Sequence, residues 1–119
     1  MNIFSWLMLG HLVGDWLLQN DWMATGKNKA IFTQAGLVHY TIYTLTLMVT
    51  LSIIGPTENS ISALTGIGLL IFVSHWVIDA TGLVNWWMQF YRQSNLAVVR
   101  LMVDQILHLL ILAGIALVW

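Results

Sequence analysis

Residues 98–119, VVRLMVDQILHLLILAGIALVW, form a stretch that is long and apolar enough to cross a lipid bilayer as one helix. A bilayer core about 30 Å thick takes about 20 residues in helical conformation. Within this stretch Asp104 and His108 are four residues apart, so their side chains lie on one face of the predicted helix. A charged side chain facing lipid costs about 2.5–3.5 kcal/mol, so this pair is expected to face the protein interior.

The composition extends this interpretation to the whole chain. Of its 119 residues, 59% are hydrophobic and 8% are charged, whereas soluble domains carry about 25% charged residues. Three more apolar stretches, residues 1–19, 34–54 and 61–86, bring the number of predicted spans to four. We predict an all-α fold in which residues 1–119 form a single transmembrane domain, an integral membrane four-helix bundle with up-down topology. The first span lacks a basic start and a cleavage site, so we expect it to remain in the mature protein.

The charge balance argues against a nucleic-acid partner, and the lack of cysteine limits which side chains can bind a metal. Four Lys/Arg against five Asp/Glu give a formal net charge of -1, so no basic surface is available for nucleic acid. The chain has no cysteine, so a bound metal must be held by histidine and carboxylate groups.

All the positive side chains fall on one side of the predicted membrane. They are Lys27, Lys29, Arg92 and Arg100. The second loop, residues 55–60, contains Glu58 and no Lys or Arg. Cytoplasmic loops are enriched in Lys and Arg, so we place the first and third loops in the cytoplasm and both termini on the non-cytoplasmic side.

Each predicted helix contains one histidine, and three of these have an aspartate four residues away. The histidines are His11, His39, His75 and His108, and the aspartates are Asp15, Asp79 and Asp104. Residues four apart share a helix face. The aspartate follows the histidine on helices one and three and precedes it on helix four, which runs in the opposite direction, so all three pairs are expected at a common depth.

Neutral imidazole and carboxylate are the usual non-thiolate ligands of zinc, manganese and iron, and helical bundles build such sites from inward-facing pairs. We therefore predict a divalent transition metal, with zinc as the first choice and manganese or iron as alternatives. The predicted ligands are His11, Asp15, His39, His75, Asp79, Asp104 and His108. Seven groups exceed the four that one structural zinc takes, so either two metals bind or carboxylates hydrogen-bond to the ligands of one.

Three functions follow from such a site. The first is a metal-dependent hydrolase acting on a membrane-associated substrate, with Asp15, Asp79 and Asp104 as the candidate catalytic carboxylates. The second is cation or proton transport, and the third is a structural role in a larger membrane complex, where the polar groups only bond helices together. Residues 45–54 and 109–119 contain no ionisable group, which favours a site open to one side. The expected partners are membrane lipid and, further, other membrane proteins or a second copy.

These motifs also resemble a known family. The ordered set is His11-x-x-x-Asp15, His39, His75-x-x-x-Asp79 and Asp104-Gln105-x-x-His108. It is similar over nearly the whole chain to the domain of unknown function 3307 family, small integral membrane proteins of bacteria and phages with no assigned activity. The resemblance implies a multi-pass protein of the bacterial inner (cytoplasmic) membrane. Membrane-bound metal-dependent hydrolases are more distantly similar, which implies hydrolysis by analogy.

Overall fold

The computed structural model describes residues 1–55 and 60–119, and this part of the chain is helical and contains no strand. The elements are α1 Ile3–Leu12, a π-helical turn Val13–Leu17, α2 Asp21–Gly26, α3 Gln34–Ile54, α4 Ile61–Ala80, α5 Leu83–Phe90 and α6 Ala97–Val118. The all-α prediction is confirmed for these residues. Most of the predicted second loop, including Glu58, lies outside them.

Within residues 1–55 and 60–119, three helices are long and apolar enough to cross a membrane. They are α3, α4 and α6, with 21, 20 and 22 residues. The first predicted span is shorter, because its apolar helical segment ends at Leu17 and is about 22 Å long at 1.5 Å per residue. The chain turns there and starts α2, whose first turn is capped by the Asn20 side chain accepting a hydrogen bond from the Met23 N–H.

Side-chain caps of the same kind fix where the other long segments begin. A side-chain oxygen just before the helix accepts a hydrogen bond from a backbone N–H three residues later, which satisfies one of the unpaired N–H groups of the first turn. The capping residues are Asn2 for α1, Thr33 for α3 and Ser60 for α4. The beginnings of α3 and α4 therefore coincide with the predicted span boundaries.

The predicted third span, residues 61–86, is wrong in its C-terminal part. α4 ends at Ala80, and Gly82 follows with φ 73°. This left-handed conformation ends helices and is accessible to glycine without steric cost. The chain then begins the separate helix α5, so Trp86 lies on a different element from His75.

The long segments pack as neighbours around a common interior. α3 contacts α1 and α4, and α6 contacts the same two segments. Gly10 and Gly14 allow the first segment to approach α3 closely. A Cβ atom at Gly10 would lie 2.7 Å from Thr50 Oγ1, and one at Gly14 would lie 3.2 Å from Tyr43 Cδ2.

Polar side chains occupy the middle of this interior, and apolar side chains cover much of the outside. All four histidines are at most 2% exposed. They lie between two apolar clusters. One consists of Leu7, Tyr43, Leu47, Leu51, Ile71, Leu112 and Ile115, and the other of Ile78, Val84, Met88 and Val103. By contrast, Ile53 and Leu117 are 74% and 88% exposed. Soluble proteins show the opposite distribution, so the surface is suited to lipid.

Candidate metal centre

Four side chains from three segments form the first of two His/carboxylate groups, which we call the central group. Its members are Asp15 on the π-helical turn, His39 on α3, and His75 and Asp79 on α4. One potential ligand atom from each lies within 4.8 Å of the others. The spacing of His75 and Asp79 follows from one helical turn of α4, as the sequence predicts.

Five of the six separations between ligand atoms of the central group lie near those around a tetrahedral metal. The His39 and His75 Nε2 atoms are 2.9 Å apart. Asp15 Oδ1 lies 3.2 Å from Nε2 of His39 and 3.6 Å from that of His75. Asp79 Oδ2 lies 3.6 Å and 3.5 Å from the same two atoms. Ligands at about 2.0–2.1 Å from a tetrahedral zinc are separated by about 1.63 times that length, or about 3.3–3.4 Å.

The π-helical turn determines where Asp15 points. Its wide turn is closed by the hydrogen bond from the Leu18 N–H to the Val13 carbonyl, 2.9 Å long and spanning five residues. The wider turn changes the angle between His11 and Asp15 around the helix axis from that of a continuous α-helix. Its Oδ1 atom faces the central group and has no hydrogen-bond partner among the described residues.

A second group shares Asp79 with the first and adds two side chains from α6, Asp104 and His108. We call it the lateral group. His108 Nδ1–H donates to the Asp104 backbone carbonyl at 2.8 Å, which leaves the lone pair on Nε2. That atom lies 3.6 Å from Asp79 Oδ1 and has no hydrogen-bond partner in the described part of the chain. An imidazole fixed through Nδ1 with Nε2 free is the usual state of a metal-ligating histidine.

Asp79 therefore turns one carboxylate oxygen toward each group. Its Oδ2 faces the imidazoles of His39 and His75, and its Oδ1 faces His108. A carboxylate so placed can bridge two metal ions, as carboxylates do in helical bundles with two-metal sites. Of the two arrangements left open by the sequence, the geometry favours two adjacent positions.

Lys27 is the site residue that the sequence interpretation missed, because it lies in a predicted loop. Its Nζ donates to Asp79 Oδ2 at 2.6 Å and lies 3.3 Å from His39 Nε2 and 3.9 Å from Asp15 Oδ1. The side chain is only 13% exposed. The signal in the sequence was electrostatic: buried carboxylates require a nearby positive charge.

Close packing of the first loop brings Lys27 to this position. Gly26 contacts Ala35 at the start of α3 so closely that a Cβ atom at Gly26 would overlap that of Ala35. Farther along the loop, Trp76 Nε1–H on α4 donates to the Ile31 carbonyl at 2.9 Å, and its ring stacks on Phe32. The loop is thus fixed to α3 and α4 on both sides of Lys27.

His11 belongs to neither group and instead takes part in a hydrogen-bond network beside them. Its Nε2–H donates to Gln105 Oε1 at 2.9 Å, and the Tyr43 hydroxyl donates to its Nδ1 at 3.0 Å. The Gln105 amide nitrogen donates in turn to Asp15 Oδ2 at 3.3 Å and to Asp104 Oδ2 at 3.1 Å. Both ring nitrogens of His11 therefore take part in hydrogen bonds, which link His11 through Gln105 to the two carboxylates.

The formal charges of the two groups fit a divalent cation. Three carboxylates, those of Asp15, Asp79 and Asp104, and the ammonium of Lys27 sum to -2 when the histidines are neutral. Burying such an excess without a compensating cation is costly. Each group contains a buried ligand atom without a hydrogen-bond partner among the described residues: Asp15 Oδ1 in the central group and His108 Nε2 in the lateral group. The donor atoms, their spacing and their charge could thus hold a divalent metal.

A cavity of about 550 Å³ adjoins the lateral group and gives it access from one side. Asp79 and Asp104 line it together with Lys27 and Arg100. The Asp104 side chain is 26% exposed, whereas that of Asp79 is 3% exposed. The cavity lies within the range of about 300–1,000 Å³ that is usual for small-molecule sites.

Comparison with known proteins yields one match. A family model described as "Protein of unknown function (DUF3307)" matches residues 3–119. No curated protein and no solved structure matches the chain.

Proposed function

The chain belongs to the DUF3307 family, and we propose that it is a membrane-embedded metalloprotein whose central and lateral groups bind divalent transition metal. The observation that carries this proposal is the spacing of the central group. Its five measured nitrogen–nitrogen and nitrogen–oxygen separations run from 2.9 to 3.6 Å, around the value of about 3.3–3.4 Å for a tetrahedral ion.

The membrane part of the proposal rests on the apolar helices and on the charges. We place the first helical segment, α3, α4 and α6 in the bilayer as an up-down four-helix bundle. The positive side chains Lys27, Lys29, Arg92 and Arg100 all lie in or next to the two loops at one end. By the positive-inside rule this end is cytoplasmic, both termini face outward, and the bacterial inner membrane is the expected location.

The ligand types favour zinc. Two imidazoles and two carboxylates form the central group, and zinc takes four such ligands in a tetrahedron. Manganese and iron accept the same donors and are the alternatives. The lateral group, with Asp79 shared, provides a second position for an ion.

We propose that the reaction is hydrolysis of a membrane-associated substrate admitted through the 550 Å³ cavity. A bound divalent metal would supply Lewis acidity there. Asp104 is the best candidate for the general base, because its side chain is the most exposed of the carboxylates in the two groups and lines the cavity. Lys27 and Gln105 orient the buried carboxylates through the contacts they make.

A second candidate, a proton or cation relay, is favoured by the contact of the Lys27 ammonium with Asp79 Oδ2 at 2.6 Å. A lysine in this position can replace a metal as the counter-charge. A transporter also requires a polar path to the opposite side. The apolar cluster around Leu47, Leu51 and Leu112 fills the interior between the histidines and that side, so a site open to the cytoplasm is better supported.

Metal analysis of the purified protein tests the proposal directly. Protein extracted in mild detergent should contain about one or two divalent transition metal ions per chain, measured by inductively coupled plasma mass spectrometry. His75→Ala should lose most of this metal, whereas Asp21→Asn, a change in the exposed first turn of α2, should keep it. Folded protein that lacks metal and does not respond to chelators or to added zinc, manganese or iron would refute the metal centre.

A further inference from the structure

Two neighbouring cavities share Arg100 and Asn85 in their walls. The first is the 550 Å³ cavity beside the lateral group, which we call the inner cavity. The second, of about 400 Å³, lies between α5 and the start of α6, and we call it the outer cavity. Arg100 thus lies where the two adjoin, and a ligand longer than one cavity would pass beside its guanidinium.

Positive charge is concentrated in these walls. Three of the four Lys/Arg residues of the chain line the two cavities: Lys27 the inner one, Arg92 the outer one and Arg100 both. The Arg100 guanidinium is held by Asn95 Oδ1 at 2.6 Å. Arginine in a fixed orientation is suited to phosphate, because its planar N–H groups match two oxygens at once.

Apart from Met88, the rest of the outer wall is made of amide side chains. They belong to Asn85, Gln89, Gln93 and Asn95. Amides donate and accept hydrogen bonds, so this wall suits the polar groups attached to a phosphate. The inner cavity, by contrast, reaches the carboxylates of Asp79 and Asp104. These would repel a phosphate unless a metal ion neutralised them.

α5, which contributes to the walls of both cavities, has the pattern of a helix that lies at the membrane surface. Its Val84 and Met88 side chains are buried against the interior. Trp86 and Phe90 are 56% and 66% exposed on another face, and Asn85 lines both cavities. A short helix with aromatic residues on one side and polar residues on another lies in the membrane interface.

From these observations we infer that the substrate is a lipid phosphate, with its phosphate at the inner cavity between Arg100, Lys27 and the lateral group, and any further polar headgroup in the outer cavity. The inference rests on the proposed metal centre, which makes the inner cavity attractive to an anion. Hydrolysis of a phosphomonoester there breaks the bond from phosphorus to the lipid oxygen and forms one from phosphorus to a water oxygen. The lipid oxygen gains a proton, and inorganic phosphate is the second product.

Binding of defined lipids tests the inference. Zinc-loaded protein in detergent is titrated with dioleoyl phosphatidate, with dioleoylglycerol, which lacks the phosphate, and with inorganic phosphate. Bound lipid is counted by native mass spectrometry. We expect phosphatidate to bind at least about tenfold more tightly than dioleoylglycerol or inorganic phosphate. Arg100→Gln should weaken phosphatidate binding at least about tenfold and leave the metal content unchanged. Arg100→Lys, which keeps the charge but loses the planar geometry, should retain part of it.

Lys29→Gln is the matched control, because Lys29 is exposed and lines neither of these two cavities. It should bind phosphatidate as the unchanged protein does. Equal affinity for phosphatidate and dioleoylglycerol, or no loss in Arg100→Gln, would overturn the inference while the metal centre stands. Inorganic phosphate binding as tightly as phosphatidate would assign the site to a soluble phosphate and reject the lipid. Protein without metal would reject the proposed function itself.

Discussion

Replacing Asp79 with asparagine separates the structural role of this carboxylate from its role as a ligand. The substitution keeps the size of the side chain and removes its charge. In the structure the Asp79 carboxylate contacts the Lys27 ammonium at 2.6 Å, and the two side chains are 3% and 13% exposed. The next carboxylate, Asp15, has its Oδ1 atom 3.9 Å from the same ammonium.

The magnitude follows from the buried charge that remains. Removing one partner of a buried ion pair costs about 3–5 kcal/mol, because the other charge stays buried. In Asp79→Asn the ammonium still has Asp15 Oδ1 at 3.9 Å, so we expect the free energy of unfolding to fall by less than this, by about 1.5–3 kcal/mol, the usual worth of a hydrogen bond to a charged group. Lys27→Met removes the ammonium, and the coupling energy between the two positions is the loss in the double variant minus the sum of the losses in the two single variants. We expect the double variant to lose at least about 1 kcal/mol less than that sum.

Metal content should follow a different pattern. Asp79 is the only residue common to the central and lateral groups, and an amide is a much poorer ligand than a carboxylate. Asp79→Asn and the double variant should therefore both lose most of their metal, whereas Lys27→Met alone should keep it. Stability is measured by denaturant titration in detergent micelles and metal by mass spectrometry, with Asp21→Asn as the control.

Three outcomes would contradict these expectations. If the losses of the two single variants add up to the loss of the double variant, the ion pair is not coupled and does not account for the loss. If Asp79→Asn keeps its metal, Asp79 is not a shared ligand. A Lys27→Met variant that binds no metal would show that the ammonium is required for the centre to form.

Two further predictions concern topology and packing. Cysteines at Asn28 and Ser94, both exposed, should react with an impermeant maleimide only after the cytoplasmic side is opened. A cysteine at Ser62 should react in intact cells. The opposite labelling pattern would place the site on the outer side. Gly10→Ala should lower the free energy of unfolding by about 1–3 kcal/mol, because its Cβ would lie 2.7 Å from Thr50 Oγ1, whereas Gly114→Ala meets nothing within 4 Å and should be neutral or stabilising. Equal thermal stability of the two glycine variants would contradict the close packing of α1 on α3.

Much of the fold could be predicted from the apolar lengths alone. α3 has the predicted bounds, and α6, Ala97–Val118, is shifted by one residue from the predicted span 98–119. A long apolar stretch between polar segments is predictable because it has few other conformations available in a membrane. The end of α4 could not be predicted this way. The residues after Gly82 are also largely apolar, so the apolar pattern continues although the helix stops.

The candidate site was predictable where a regular α-helix carries it. His75 and Asp79, four residues apart on α4, meet in the central group as expected. His11 and Asp15 have the same spacing, but only Asp15 joins the central group, and the π-helical turn that includes Asp15 is not visible in the residue pattern. Lys27 reaches the site through the path of a loop, which depends on contacts such as Gly26 with Ala35 rather than on periodicity.

The π-helical turn also determines which kinds of sequence change the first segment can accommodate. A π-helical turn holds one residue more than the α-helical turn it replaces. Deleting one residue within the turn would restore a continuous α-helix and leave the residues after it near their present register. Deleting one residue from the regular helix α1 would instead rotate the residues before the deletion by about 100° around the helix axis relative to Asp15. We therefore expect a one-residue deletion to be less damaging within residues 13–17 than in α1, and a gap aligned with this turn does not argue against a shared site.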